Sequence, residues 1–254
     1  MKKTIALILL LAITFSCNED MDDNTTLSAS VNFKFTHDWN DTLINSSNLE
    51  TETVTNANGE VINMVRFRYL TSKFKLTNTA GDTYSFEGFK FTDLAEEESY
   101  NFTPDINGIP SGTYTLSFVW GFDEEDNIDG AYPTLNTASW NWPEMLGGGY
   151  HFLQFDGMYN VDTPNPLPFN YHNGTARVED GLFEQNFATI TLDTPITITT
   201  ETTIEVKMNI AELFTNPNTW DLNVLDTPLM PNYDAQKMMQ ENILSVFTIG
   251  EITQ

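Results

Sequence analysis

Apolar and polar residues alternate at a period of two along most of this chain. Val31-Asn32-Phe33-Lys34-Phe35 predicts a half-buried strand that ends at His37. Residues 61–76, VINMVRFRYLTSKFKL, alternate over a longer span. Asn78-Thr79-Ala80-Gly81-Asp82 then turns the chain into a short strand over 83–86. In IPSGTYTLSFVWGFD a Pro-Ser-Gly turn precedes a strand over 113–120, and later strands are predicted at 188–192, 195–199, 203–208 and 245–252. Helical period is scarce: 210–214 suits a single turn, and YDAQKMMQENIL, residues 233–244, is amphipathic at helical spacing. The most unusual stretch is SWNWPEMLGGGYHFLQFDG, where a glycine triplet lets a loop bend back before a strand over 150–155 with His151 near its start. Many short strands and few helices predict an all-β fold, an antiparallel β-sandwich of immunoglobulin-like or jelly-roll type with one short C-terminal helix. No internal repeat is seen, and residues 30–254 read as a single domain.

The start of the chain changes the picture. MKKTIALILLLAITFSC carries two lysines and then an apolar run too short to span a bilayer but suited to a secretory leader, so residues 1–16 are expected to be a signal peptide. Cys17, the only cysteine, follows directly and resembles a bacterial lipoprotein attachment site, whose acyl chains hold a protein on a membrane without spanning it. The acidic run Asn18-Glu19-Asp20-Met21-Asp22-Asp23 resembles the export signal of surface lipoproteins in Bacteroidetes, so outer-membrane, cell-surface anchoring is expected. Residues 17–29 read as a polar tether.

The net charge is −25, with a sequence pI near 4.1. Nucleic acid and anionic lipid would be repelled, whereas cations would be attracted. One cysteine leaves no internal disulfide. No Gly-x-Ser-x-Gly, phosphate loop or His-Glu-x-x-His occurs, and no catalytic function is expected. GFDEEDNIDG places Asp123, Glu125, Asn127 and Asp129 at alternate positions, hard oxygen donors of the kind calcium takes. The segment departs from an EF-hand, because Asn136 stands where the closing glutamate belongs if Glu125 is first. It reads first as a solvated acidic loop and second as a calcium site.

Four segments in order, FRYLTSKFKLTNTAGD, IPSGTYTLSFVWGFD, GGGYHFLQFDG and FNYHNGT, give the chain a family likeness over about residues 31–252. It resembles the MbnP-like proteins. The resemblance implies an extracytoplasmic β-sandwich that binds copper, and a di-haem peroxidase-like partner. It also implies that a tryptophan can be oxidised to kynurenine and become a copper ligand. One departure is that Trp140-Asn141-Trp142 is followed by Pro143-Glu144-Met145-Leu146 before the glycines, where many family members pass almost at once to the Gly-Tyr strand.

The chain has three histidines, and all fall on segments that carry the likeness. Imidazole nitrogen suits copper. His37 and His172 match the family's positions most closely, and His151 ranks third, so the expected site is one copper held by His37, His172 and His151. Trp140 and Trp142 are the candidates for modification, with Met145 as a further soft donor. The expected function is copper acquisition or handling by a lipid-anchored protein. Two rival readings remain: a carbohydrate- or protein-binding module with Trp39, Trp140 and Trp142 as stacking platforms, and a structural lipoprotein stabilised by calcium.

Overall fold

The computed structural model describes residues 28–254 except residue 107. The expected leader, Cys17 and the acidic run behind it lie outside the described residues. In chain order the first strands are β1 (Ser28–Trp39), β2 (Thr42–Ile44), β3 (Thr53–Thr55), β4 (Val61–Asn78), β5 (Thr83–Ser85), β6 (Phe89–Asp93), β7 (Asn101–Phe102), β8 (Ile109–Pro110) and β9 (Gly112–Trp120). A short helix α1 (Pro133–Thr137) precedes β10 (Leu153–Tyr159), β11 (Leu167–Asn173), β12 (Ala176–Glu179), β13 (Leu182–Glu184), β14 (Ala188–Ile198) and β15 (Glu201–Asn209). Helix α2 (Tyr233–Asn242) and β16 (Phe247–Thr253) close the chain.

One sheet runs β16-β15-β1-β2, with β7 and β8 also pairing β1. The other runs β11-β10-β4-β9-β14, with β3, β5 and β6 pairing β4, and β12 and β13 form a separate ribbon. The alternation read in the sequence is what closes the sandwich. Phe33 and Phe35 on β1 face Tyr69 and Phe74 on β4, with ring centroids 5.5–6.2 Å apart, and Trp120 stacks on Tyr69 at 5.5 Å. Ile204, Val206, Met208 and Phe247 complete this largely aromatic core. Burying such rings is worth roughly 1.5–3 kcal/mol each, which makes the interface between the sheets the main source of stability.

Several details differ from the expectation. Strands 188–192 and 195–199 are one strand, β14, whose register against β9 shifts between Leu192 and Ile196. The pairing of β1 with β15 is parallel, from Ser30 opposite Glu201 to Asp38 opposite Asn209, within an otherwise antiparallel fold. The strand expected at 150–155 begins at Leu153, so His151 lies in the loop before it. Residues 210–214 form a 3-10 turn, and α1 was not foreseen. Helix α2 is the expected one. The Asn232 side chain caps its start by accepting from Ala235 N, and it buries Ala235, Gln236, Met239 and Asn242. Among the described residues no helix is long and apolar enough to cross a membrane.

The outer face of the larger sheet is covered too. The loop from Gly121 to Phe152 folds back over this face and sets Phe122 on Phe89 and Trp140 on Phe91 of β6, with Tyr150 and Phe152 buried in the same cluster and Trp142 buried on Gly174. Gly147, Gly148 and Gly149 all take positive φ, between 65° and 112°. That conformation is open to glycine at little cost. A Cβ on Gly149 would collide with the Asn127 amide, which receives Tyr150 N–H on its Oδ1 at 2.9 Å. The triplet is therefore what lets the loop close onto the sheet.

Candidate metal centre on the outer sheet face

Register on β4, β10 and β11 sets two cross-strand rows on this outer face. Gln154 lies opposite both Arg68 and His172, and Asp156 lies opposite both Arg66 and Asn170. The intervening residues Phe67, Tyr69, Phe155 and Tyr171 point into the core. Asp156 accepts from His172 Nε2 at 2.8 Å, from Asn170 Nδ2 at 2.5 Å and from Arg66 at 2.5 Å. Burial pushes the Asp156 carboxyl up, but the His172 and Asn170 hydrogen bonds and the Arg66 charge outweigh it and hold the group down at about 2. Arg68 bonds Gln154, and its guanidinium lies 5.4 Å from the Trp140 ring and 6.0 Å from Phe91.

His151 and His172 meet above these rows, with ring centroids 5.3 Å apart and planes at 80°. His151 Nδ1 faces the Trp140 carbonyl at 3.1 Å, and its ring touches Trp142 at 4.9 Å and Trp140 at 5.5 Å. Each imidazole thus has one nitrogen tied to an acceptor, a carbonyl for His151 and a carboxylate for His172. Such a tie orients the ring and leaves the other nitrogen, Nε2 of His151 and Nδ1 of His172, without a hydrogen bond to the described residues. Burial, with smaller contributions from His172, Arg68 and Arg66, pushes His151 down to about 3, so its lone pair is open at neutral pH. Two imidazoles on one ion, with bonds of about 2.0 Å at a tetrahedral angle, would stand about 5 Å apart centroid to centroid.

The surroundings hold this pair rigidly. Gln236 of α2 donates to the His172 carbonyl at 2.7 Å and accepts from Asn173 Nδ2 and Gly174 N, pinning the end of β11. Trp142 donates to the Leu146 carbonyl and packs so closely on Gly174 that a Cβ there would run into its ring. Among the described residues no group of three or more His, Cys, Asp or Glu side chains is placed to hold a metal.

The common site expected for all three histidines is not formed. His37 lies between the sheets, where Nε2 meets the Tyr69 hydroxyl at 3.0 Å amid the rings of Phe67, Tyr69 and Tyr100. Its Nδ1 is buried without a partner, and burial pushes the ring down to about 3. Tyr69 and Arg68 are successive residues of β4 and point to opposite faces, so the sheet itself separates His37 from His172. Met145 is 77 % exposed, while Trp39, Trp140 and Trp142 are at most 5 % exposed and offer no stacking platform. The acidic loop does not converge. Asp123, Glu125 and Asp126 surround Lys73 Nζ at 2.5–3.4 Å, Asn127 bonds Tyr150 N and Thr175, and Asp129 faces Asn141. A groove of about 700 Å³ lined by Lys75, Phe89, Phe122 and Tyr132 contains none of the histidines.

Asp156, Arg66, Arg68, Gln154 and Asn170 were not singled out from the sequence. Their signal was the parity of the strands: in LQFDG and LPFNYHN the polar residues Gln154, Asp156, Asn170 and His172 share one face.

The family model of MbnP matches residues 28–234. No curated protein matches the chain at a significant level. Among solved structures, MbnP from Methylosinus trichosporium is similar in fold, with 10 % sequence identity and a TM-score of 0.53 over 88 % of this chain and 98 % of that one.

Proposed function

The chain belongs to the MbnP family, and from that premise we propose that it is a copper-handling lipoprotein whose ion is held by His151 and His172. The observation that carries this reading is the paired imidazoles, each tied through one nitrogen to Trp140 O or Asp156 and open at the other. Neutral imidazole binds copper in either common oxidation state, and an acceptor behind each ring raises its basicity and fixes its aim. Copper bound there would be held and passed on. Trp140 and Trp142 both pack on His151. Either could supply a further donor once oxidised to kynurenine by a di-haem peroxidase-like partner. Cys17 is the lipid anchor in this reading, placing the domain at the outer membrane, and on the cell surface if the acidic run acts in export.

Metal analysis and intact-mass measurement on protein purified from its own host test the reading. One copper per chain, with the mass of one converted tryptophan, is expected. Protein that takes up no stoichiometric copper, before or after exposure to a di-haem peroxidase, overturns it. Cys17→Ser is expected to move the protein out of the membrane fraction.

A further inference from the structure

A second cation site stands at the far end of the larger sheet, where three chain segments meet. The turn between β3 and β4 brings Asn58 and Glu60, the end of β10 brings Tyr159 and Asn160, and the loop after Trp220 brings Asp221, Asn223 and Asp226. Glu60 Oε1 accepts from Asn58 Nδ2 at 2.7 Å and from Asn223 Nδ2 at 2.6 Å. Asn223 Nδ2 also reaches Asp221 Oδ1 at 3.2 Å, and Asn223 Oδ1 accepts from Asn160 at 3.0 Å. The acidic members have no basic partner: among the described residues no lysine, arginine or histidine pairs with Glu60, Asp221 or Asp226.

An acidic cluster alone is no site, and what marks this one is Glu60. The residue is 4 % exposed, and its second oxygen, Oε2, is buried with no hydrogen-bond partner. A carboxylate is costly to bury, and its cost rises when one oxygen is left bare among like charges. Burial raises the Tyr159 hydroxyl's pKa, and Asp226, Glu60 and Asp221 raise it further, so their negative fields converge here. The acidic loop at Asp123 is the opposite case, since the Lys73 ammonium already sits among its carboxylates.

We propose that Glu60, Asp221, Asn58 and Asn223 form a calcium site that ties the β3–β4 turn to the loop after Trp220. Glu60 and Asp221 supply the carboxylates. The Asn58 and Asn223 amides, which aim N–H groups at Glu60, present their carbonyl oxygens instead after a half-turn of each amide, and the Asn160 amide turns with Asn223 so that its oxygen accepts from Asn223 in place of donating to it. Water completes the six to eight oxygens that calcium takes at 2.3–2.6 Å. All donors are hard oxygens, and exposed amides on loops suit the adaptable shell of calcium better than the strict octahedron of magnesium. The site is independent of the copper reading.

Chelator-stripped full chain is titrated with Ca²⁺ to about 1 mM, the range for extracellular calcium modules, with the melting temperature as readout. Tb³⁺ emission sensitised by Trp220, next to Asp221 in the chain, reports binding directly. The wild type is expected to gain about 5 °C, because a ligand bound only by the native state stabilises it. Glu60→Gln and Asp221→Asn lose both signals, while Asp123→Asn keeps them. Should Glu60→Gln fail to fold, Asp221→Asn at the partly exposed rim carries the test. A wild type without a shift or Tb³⁺ signal, or a folded Glu60 or Asp221 variant that responds like the wild type, overturns the proposal.

Discussion

His37 and the pair His151–His172 occupy the two faces of one sheet and show two uses of a buried imidazole. His37 sits among aromatic rings with one nitrogen on Tyr69 and the other without a partner, so it fills space as a neutral group at some cost. His151 and His172 are buried almost as deeply, at 6 % and 9 % exposure, yet each has an acceptor behind one nitrogen and no hydrogen bond at the other. Burial alone therefore does not separate a structural histidine from one proposed as a ligand. The separation comes from what stands behind the ring, and that is set by strand parity and by the loop that delivers the Trp140 carbonyl.

The largest effect that can break this contrast is on copper affinity. His151→Ala or His172→Ala should each lower it by more than about 100-fold, beyond what outer partners of a metal site typically give. His37→Phe should leave it within error of the wild type, and copper titration with a competing chelator reads both. Next comes the partner behind His172. Asp156→Asn is expected to weaken copper by about 10–100-fold with the fold intact, since the ring loses its charged acceptor while the shape is kept.

Acid sharpens the comparison from the side of stability. His37 and His151 are both pushed down to about 3 in the fold against an ordinary 6.5. The unfolded chain therefore binds the extra protons: stability is full above pH 6.5 and is lost as pH falls from 6.5 towards 3. Each histidine contributes a slope of about 1.4 kcal/mol per pH unit across that window. Asp156, held down at about 2 against 3.8, adds a loss only at the lower end. Denaturant melts at pH 7, 5.5 and 4.5, as rough sampling points of that window, should show a shallower acid slope in His37→Phe. Its stability at pH 7 should also fall by about 1–3 kcal/mol, because the buried Tyr69 hydroxyl loses its partner. The smallest effect belongs to Lys73→Met. Its side chain is 37 % exposed, so losing the contacts with Asp123, Glu125 and Asp126 should cost no more than about 1 kcal/mol in a thermal melt.

Much of the fold was legible because the strands keep a strict period. β1, β4, β9, β15 and α2 stand close to where the alternation and the helical spacing put them. The parallel β1–β15 pair was not legible, since nothing local records which strand a given strand will pair with. The alternation starts β10 too early because Tyr150 and Phe152, at the end of the covering loop, are buried against the sheet and their burial imitates strand pattern. The histidine site was half legible. The same parity that puts Phe33 and Phe35 in the core extends to His37 and places it inside, a signal that the family likeness outweighed. For His172 the parity runs the other way: Phe169 and Tyr171 point in, and Asn170 and His172 point out. Only the folding-back of the glycine loop brings His151 there, and no periodicity encodes that.

The central claim is that His151 and His172 hold a single ion between them while His37 holds none. A double-mutant cycle on copper affinity tests it most directly, using His151→Ala, His172→Ala and the double variant, with His37→Phe beside them. Two ligands of one ion are strongly coupled, so the double variant should bind little worse than either single one. Losses that simply add, or a His37 variant that loses copper as the others do, would contradict the account.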